Sequence, residues 1–562
     1  MVLLAIITAW VSWAVVTTAS PISRQAASRY APRPVTCPST PLVRQATGIS
    51  DAESKYIAER YLKASEALQS WLESVDDGFA SGHGGWGDWQ GHGKGQGKAP
   101  VIALTSSGGG YRAMLAGGGL IKGLDGREEV TTGVSGLYQA LTYEAGLSGG
   151  SWLLSSLAGN DYPTISELQT SLWEPALELS LLVPQILVSP QANPIYTAVD
   201  ADVDAKRAAG FEPSIIDPWG RLLSYGLLLG PDGGVEDTMS SIADSSNFTA
   251  HNAPYPVITA LGVEAGECIP ARNATQYEFH PYEFGSWDVG VDAFVVSEYL
   301  GTSFSDGHPT GECITHYDQL GYVLGTSSNV FAAACSAVPA NKTGEASATA
   351  LAENLAGLVA LPGQPGVPER EIFGLFPNPF QGYSVSPEVS AQTTLELVDG
   401  GVGVNYQGNP IWPFLHRDID VIIVNDNSAD TPTNFPNGSE ILNTYNAAVA
   451  AGLTRMPVIP SVDTFVSEGL NQKPTFFGCD SPDTATIVFI PNVNYTFPSG
   501  EPTAKIQYYR NETEGMISNG VMTANYGGKD NWPLCLACGI MKKSGGSLPD
   551  GCGACYDEYC FN

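Results

Sequence analysis

Positive charge is what this 562-residue chain has least of: 26 Lys and Arg stand against 58 Asp and Glu, a formal net charge of −32. So acidic a surface repels nucleic-acid phosphates and anionic lipid headgroups, which excludes a nucleic-acid enzyme and electrostatic docking on anionic membranes. Long apolar runs are missing beyond the start of the chain, so no transmembrane span is expected downstream. Neither a collagen-like glycine period nor an internal repeat of solenoid length occurs. No Gly-Lys-Ser/Thr follows a glycine loop, which removes a Walker phosphate cradle. No EF-hand loop or separate acidic calcium module stands out. Histidines number only 7, yet 43% hydrophobic and 10% aromatic residues are enough to bury a sizeable core.

Val2–Val16 is an apolar run followed by Thr17-Thr18-Ala19-Ser20. It reads as a secretory signal peptide over residues 1–19, lacking the usual basic start. The mature chain, 20–562, is then expected to be secreted and extracellular. Six Asn-x-Ser/Thr triplets lie in it, at Asn247, Asn273, Asn341, Asn437, Asn494 and Asn511, and are taken as glycosylation sites. All 10 cysteines follow the signal, so disulfides are expected. Cys535-x2-Cys538 and Cys552-x2-Cys555 have zinc-ribbon spacing. In an oxidising compartment disulfides are the favoured reading, so no metal is expected.

Ser50-Asp51-Ala52-Glu53 has the form of a capping box. Behind it Ile57, Tyr61, Ala64, Leu68 and Trp71 form one apolar helical stripe. Residues 78–97 are a glycine-rich surface loop carrying His83 and His92. Val101–Leu104, Val421–Val424 and Ile487–Ile490 read as short buried strands between helical patterns. That interleaving predicts an α/β fold with a mostly parallel central sheet. No linker marks a domain boundary.

Three glycine-containing stretches carry the chemistry. Gly146-Leu147-Ser148-Gly149-Gly150 is a Gly-x-Ser-x-Gly turn between strand and helix, which exposes a serine hydroxyl at a helix N-terminus suited to a developing oxyanion. Ser107-Gly108-Gly109-Gly110-Tyr111-Arg112 follows a strand, and its glycines let backbone amides approach a ligand. Arg112 fits either a bidentate phosphate contact or a structural ion pair. Leu395–Val398 ends in Asp399-Gly400-Gly401, a carboxylate at a strand end that is equally a common turn dipeptide.

Together these stretches resemble the fungal lysophospholipase (phospholipase B) family and, through it, the catalytic domain of cytosolic phospholipase A2. Cys37-Pro38-Ser39, Asp217-Pro218-Trp219-Gly220-Arg221, Glu283–Asp288, Pro377–Phe380, Phe476–Cys479 and Asn531–Cys538 are similar to further family blocks. The likeness therefore covers nearly the whole mature chain. It implies a three-layer α/β/α, patatin-like fold with cap insertions and a disulfide-rich C-terminal segment. It also implies a Ser–Asp dyad, with Ser148 as nucleophile and Asp399 as acid, Gly109 and Gly110 as the oxyanion hole, and Arg112 on the substrate phosphate. Two departures from the family are the long glycine-rich stretch at 78–97 and Gly117-Gly118-Gly119 in place of a Cys-Gly-Ala type of sequence.

A dyad has a proton problem, because a carboxylate near pKa ~3.9 in water is a weak base and must be raised by burial to activate a serine. The implied reaction is hydrolysis of a lysophospholipid, for instance lysophosphatidylcholine, to glycerophosphocholine and fatty acid, without cofactor. Diacyl phospholipids are possible further substrates, with peripheral contact at micelles or a membrane surface. The rival mechanism is a Ser-His-Asp esterase in the order Ser148…Asp399…His416, although His416 reads better as an ordinary polar residue near a helix end. A rival of another class is a secreted sugar-binding protein, which leaves the three glycine loops unexplained. Protonation of surplus carboxylates suggests tolerance of acidic surroundings.

Overall fold

A computed structural model describes residues 29–561 apart from 80–97, 183–193, 265–266, 268–269, 272, 332–371 and 403–407. The signal peptide, Asn341, Cys268, Cys335 and most of the glycine-rich stretch lie outside the described residues.

The apolar runs become parallel strands. Those at the centre are β1 (Ile102–Ser106), β2 (Leu141–Gly146), β3 (Tyr255–Val263), β5 (Val421–Asp426) and β6 (Thr486–Pro491), side by side in the order β6-β5-β1-β2-β3. Apart from Gly262 every residue of these strands is buried, as expected of parallel strands covered by helices on both faces. The remaining strand of this set, β4 (Thr394–Val398), runs antiparallel against the far end of β3, with Val398 opposite Leu261. An antiparallel wing continues the sheet beyond β3 through Gln276–Phe279, Glu283–Ser286, Ala293–Val296 and Val43–Gln45. These strands carry no clear sequence signal, because the segments are short and bury charged residues such as Glu278 and Glu283.

Six helices matter to the site: α1 (Asp51–Val75), α2 (Gly110–Leu124), α3 (Gly149–Ala158), α4 (Ile216–Leu227), α5 (Leu320–Ser327) and α6 (Arg510–Ala524). Ser50 caps α1, its hydroxyl accepting from the Glu53 amide at 3.1 Å. The reciprocal half of the expected capping box is not made. Glu53 is buried and instead takes the guanidinium of Arg417 at 2.6 Å and the hydroxyl of Tyr143 at 2.9 Å. Arg417 also grips Glu278 at 2.7 Å, so one buried cation ties α1 to the antiparallel wing. Arg60, in the same buried stripe, donates to the carbonyls of Leu141, Gln139, His251 and Asn252. The stripe therefore centres on Tyr56, Ala64, Leu68, Trp71 and two charged residues, leaving Ile57 and Tyr61 at its half-buried edge.

The Gly117–Gly119 departure has a packing cause. A side chain on Gly119 would stand 2.2 Å from the carbonyl of Ile517, and one on Gly520 would stand 2.3 Å from that of Ala116. Helices α2 and α6 thus touch backbone to backbone. At the C-terminus the zinc-spaced cysteines are disulfides, Cys535–Cys555 and Cys538–Cys552, joined by Cys479–Cys560; Cys37–Cys313 fastens the N-terminal strand.

Candidate active site

The C-terminal ends of β1, β2 and β4 converge, the region where open parallel sheets hold their ligands. Ser148 lies between β2 and α3 with φ 52° and ψ −122°, an unfavourable conformation for a side chain that costs on the order of 1–3 kcal/mol and persists only where neighbours enforce it. Those neighbours are visible. A side chain on Gly150 would strike the Ser106 carbonyl at 2.1 Å, so the glycines of the pentapeptide allow the turn to press against β1. The Ser148 amide is held by Ser327 at the end of α5, to both its carbonyl (3.2 Å) and its hydroxyl (3.1 Å). The Ser327 hydroxyl in turn donates to Thr259 of β3 at 2.7 Å.

Asp399 follows β4 directly, and the register of β4 on β3 brings it beyond the end of β2. Its carboxylate accepts from the Gly401 amide at 2.8 Å, and the Ser148 side chain faces it closely enough to act as a second donor. Burial pushes the Asp399 carboxyl up to about 6, and those two donors pull the other way without cancelling it. Asn329, two residues past α5, steadies this half of the site. Its carbonyl accepts from the Asp399 amide at 3.4 Å, and its side-chain nitrogen donates to the carbonyls of Ile372 (2.9 Å) and Leu397 (3.3 Å). Ser327 and Asn329 thus bridge Ser148 and Asp399. No motif announced them, since their role arises from where α5 ends.

The glycine loop closes the third side. Gly108 packs on Ser148, where an added side chain would lie 3.2 Å from the serine Cβ. The Gly108 amide is spent on the Gly408 carbonyl at 2.9 Å, and the Gly408 amide on Glu440 at 2.5 Å. Gly109 and Gly110 both have positive φ, 135° and 60°, and their amides make no hydrogen bond among the described residues. Arg112 is fully buried. Its Nε donates to the Asn427 carbonyl (3.0 Å), and its Nη1 to the Glu501 carbonyl (2.7 Å) and the Thr503 hydroxyl (2.9 Å). Among the described residues no carboxylate pairs with it, so the ion-pair reading gives way to a guanidinium held by neutral acceptors. Its Nη2 has no partner among the described residues and sits 2.2 Å from where a side chain on Gly109 would begin.

His416 is elsewhere. Its ring stacks on Trp287 at 5.4 Å and meets Trp412 edge-on at 5.8 Å, and burial, then Arg417, pushes it down to about 4. Among the described residues no histidine hydrogen-bonds Ser148 or Asp399. Of the Asn-x-Ser/Thr sites, Asn273, Asn494 and Asn511 are exposed, whereas Asn247 and Asn437 are half-buried. Asn247 donates its side-chain nitrogen to the Asp161 carbonyl at 2.7 Å.

A strained serine at a strand–helix turn, with a buried acid facing it and two glycine amides beside it that are unbonded among the described residues, is the arrangement expected of a serine hydrolase of the α/β class. Comparison with known proteins narrows the class. A sequence model of the lysophospholipase catalytic domain matches residues 102–562. The chain is 37% identical to Lysophospholipase 2 of Aspergillus fumigatus over 97% of its own length and 96% of that protein's. It is 34% identical to the probable lysophospholipase 5 of Schizosaccharomyces pombe over 96% and 89%, and 35% identical to a lysophospholipase of Penicillium chrysogenum over 95% and 90%. Human GIVD cytosolic phospholipase A2 shares the fold with a TM-score of 0.64, at 17% identity over 90% of this chain and 69% of that one. The chain belongs to the lysophospholipase family and is a carboxylic ester hydrolase.

Proposed function

We propose that this protein is a secreted lysophospholipase that removes the acyl chain of lysophospholipids through Ser148 and Asp399. The observation that carries the reading is the buried carboxylate of Asp399, raised to about 6 and facing the side chain of a strained Ser148. Asp399 takes the hydroxyl proton as Ser148 Oγ attacks the ester carbonyl, and the oxyanion is received by the amides of Gly109 and Gly110. Collapse breaks the ester C–O bond, and the same proton passes from Asp399 to the departing glycerol oxygen. Water, deprotonated by Asp399, then cleaves acyl-Ser148, and the proton returns to the serine. An alkoxide leaving group needs less help than an amide nitrogen, so one carboxyl serves both steps.

Arg112 is assigned to the substrate phosphate, supported by its unpartnered Nη2 beside Gly109. Transient contact with micelles or a lipid surface fits Leu179 and Tyr509, which are 80% and 56% exposed on segments joined by the Tyr508 amide to the Leu177 carbonyl at 3.3 Å. We assign residues 1–19 to a leader, 20–562 to one catalytic domain, and the Asn-x-Ser/Thr sites to glycosylation. Rates on lysophosphatidylcholine, phosphatidylcholine and a monoglyceride of equal chain length test the proposal. Lysophosphatidylcholine should be turned over fastest and Ser148→Ala should be inert on all of them. Fatty-acid release by Ser148→Ala at the wild-type rate would refute it.

A further inference from the structure

Arg112 has a neighbour whose polar group is equally idle. Tyr508 stands just before α6 in a segment that runs over the glycine loop, and its side chain is fully buried. The ring meets Tyr111 edge-on at 6.3 Å and carries Lys505 Nζ 4.4 Å from its centre. Its amide is held by the Leu177 carbonyl. The ring is therefore fixed, yet its hydroxyl has no hydrogen-bond partner among the described residues, which is costly for a buried phenol. Burial pushes the Arg112 guanidinium down to about 10, and the Tyr508 phenol is foremost among the groups acting the other way. Two donors, Arg112 Nη2 and Tyr508 Oη, are thus both unpartnered among the described residues, Arg112 packed against Gly109 and the Tyr508 ring against Tyr111 two residues on.

Buried donors without acceptors are the complement of an anionic ligand. A phosphodiester has acceptor oxygens to spare, and each charge-assisted hydrogen bond is stronger than a neutral one. We infer that Tyr508 is a second donor of the headgroup site, binding the substrate phosphodiester together with Arg112 and so setting the preference for phospholipid over neutral ester. This deepens the assignment of Arg112 to the substrate phosphate and rests on it. The conserved shape of phenylalanine makes the test clean: Tyr508→Phe removes an idle hydroxyl and leaves no buried group orphaned, so folding should not suffer.

The experiment measures kcat/KM of wild type, Tyr508→Phe and Arg112→Lys on lysophosphatidylcholine and on a monoglyceride of the same chain. Tyr508→Phe is expected to lower the ratio of the two values by about tenfold or more, as loss of one hydrogen bond to a charged group does. Its thermal midpoint should be no lower than wild type, and glycerophosphocholine should inhibit its monoglyceride hydrolysis less. An unchanged ratio in Tyr508→Phe overturns the assignment, as does a midpoint several degrees lower with both substrates reduced equally. If Arg112→Lys lowers the ratio and Tyr508→Phe does not, only the role of Tyr508 falls. If neither lowers it, the phosphate assignment of Arg112 falls as well.

Discussion

Asp399→Asn separates the catalytic and structural consequences of one buried carboxyl, because they move in opposite directions. The side chain keeps its shape, and the amide oxygen can still accept from the Gly401 amide, now at 2.8 Å. Only the charge and the capacity to take a proton are lost. In the wild type, burial raises the carboxyl from 3.8 to about 6. At about 1.4 kcal/mol per pK unit, holding it ionised costs the fold roughly 3 kcal/mol above pH 7. A folded pKa above the unfolded one means that the wild type gains stability as pH falls through about 6, whereas the asparagine variant does not titrate. The variant should therefore be the more stable protein at pH 8, with a higher urea midpoint, and the gap should close toward pH 4. Fatty-acid release should fall by roughly two to four orders of magnitude, the usual loss on removing a general base. A variant that keeps a tenth of wild-type turnover, or that is less stable at pH 8, would refute the reasoning.

Other buried carboxyls point the same way. Burial also raises Asp318 to about 6 and Glu144 to about 7, so each contributes stability that grows by roughly 1–2.5 kcal/mol between pH 8 and pH 5. The buried His280 and His416, pushed down to about 3 and about 4, act the other way. Asp318→Asn and Glu144→Gln should therefore each reduce the gain in urea midpoint between pH 8 and pH 5 relative to wild type. Activity should run the other way, with kcat/KM dropping tenfold per unit below about pH 6 as Asp399 protonates; the acid tolerance suggested by net charge then holds for folding rather than turnover. Asn329→Ala should lower kcat about ten- to a hundredfold with little change in KM, since it frees the strand end that positions Asp399. Arg417→Met should lower stability by roughly 3–5 kcal/mol in a denaturant titration, because Glu53 and Glu278 stay buried without their cation.

How much of this was legible beforehand depends on how local the cause is. Ser148 could be read directly, since the turn that exposes it needs glycines within two residues on either side. The central strands were equally plain, because burial on both faces demands continuous apolar runs. Asp399 stood out as a carboxylate at a strand end, but its role as the acid came only through family likeness. Asp-Gly alone is a turn, and its meeting with Ser148 depends on β4 pairing with β3. Glu53, Glu278 and Arg417 come from three distant segments, and charge in a helical stripe or a short strand argues against burial until the partner is known. The antiparallel wing was missed for the same reason. Tyr508 carries no motif; its significance comes from an enclosed hydroxyl beside Arg112.

The central claim is that the Ser148 hydroxyl is the nucleophile and the Asp399 carboxylate its base. It is tested most directly by labelling the folded enzyme with an alkyl fluorophosphonate and mapping the adduct by peptide mass spectrometry across pH. The account predicts one adduct, on the peptide containing Ser148, formed at a rate that rises through about pH 6 and is nearly lost in Asp399→Asn. Labelling at another residue, or labelling of Ser148 at an undiminished rate in Asp399→Asn, would contradict it.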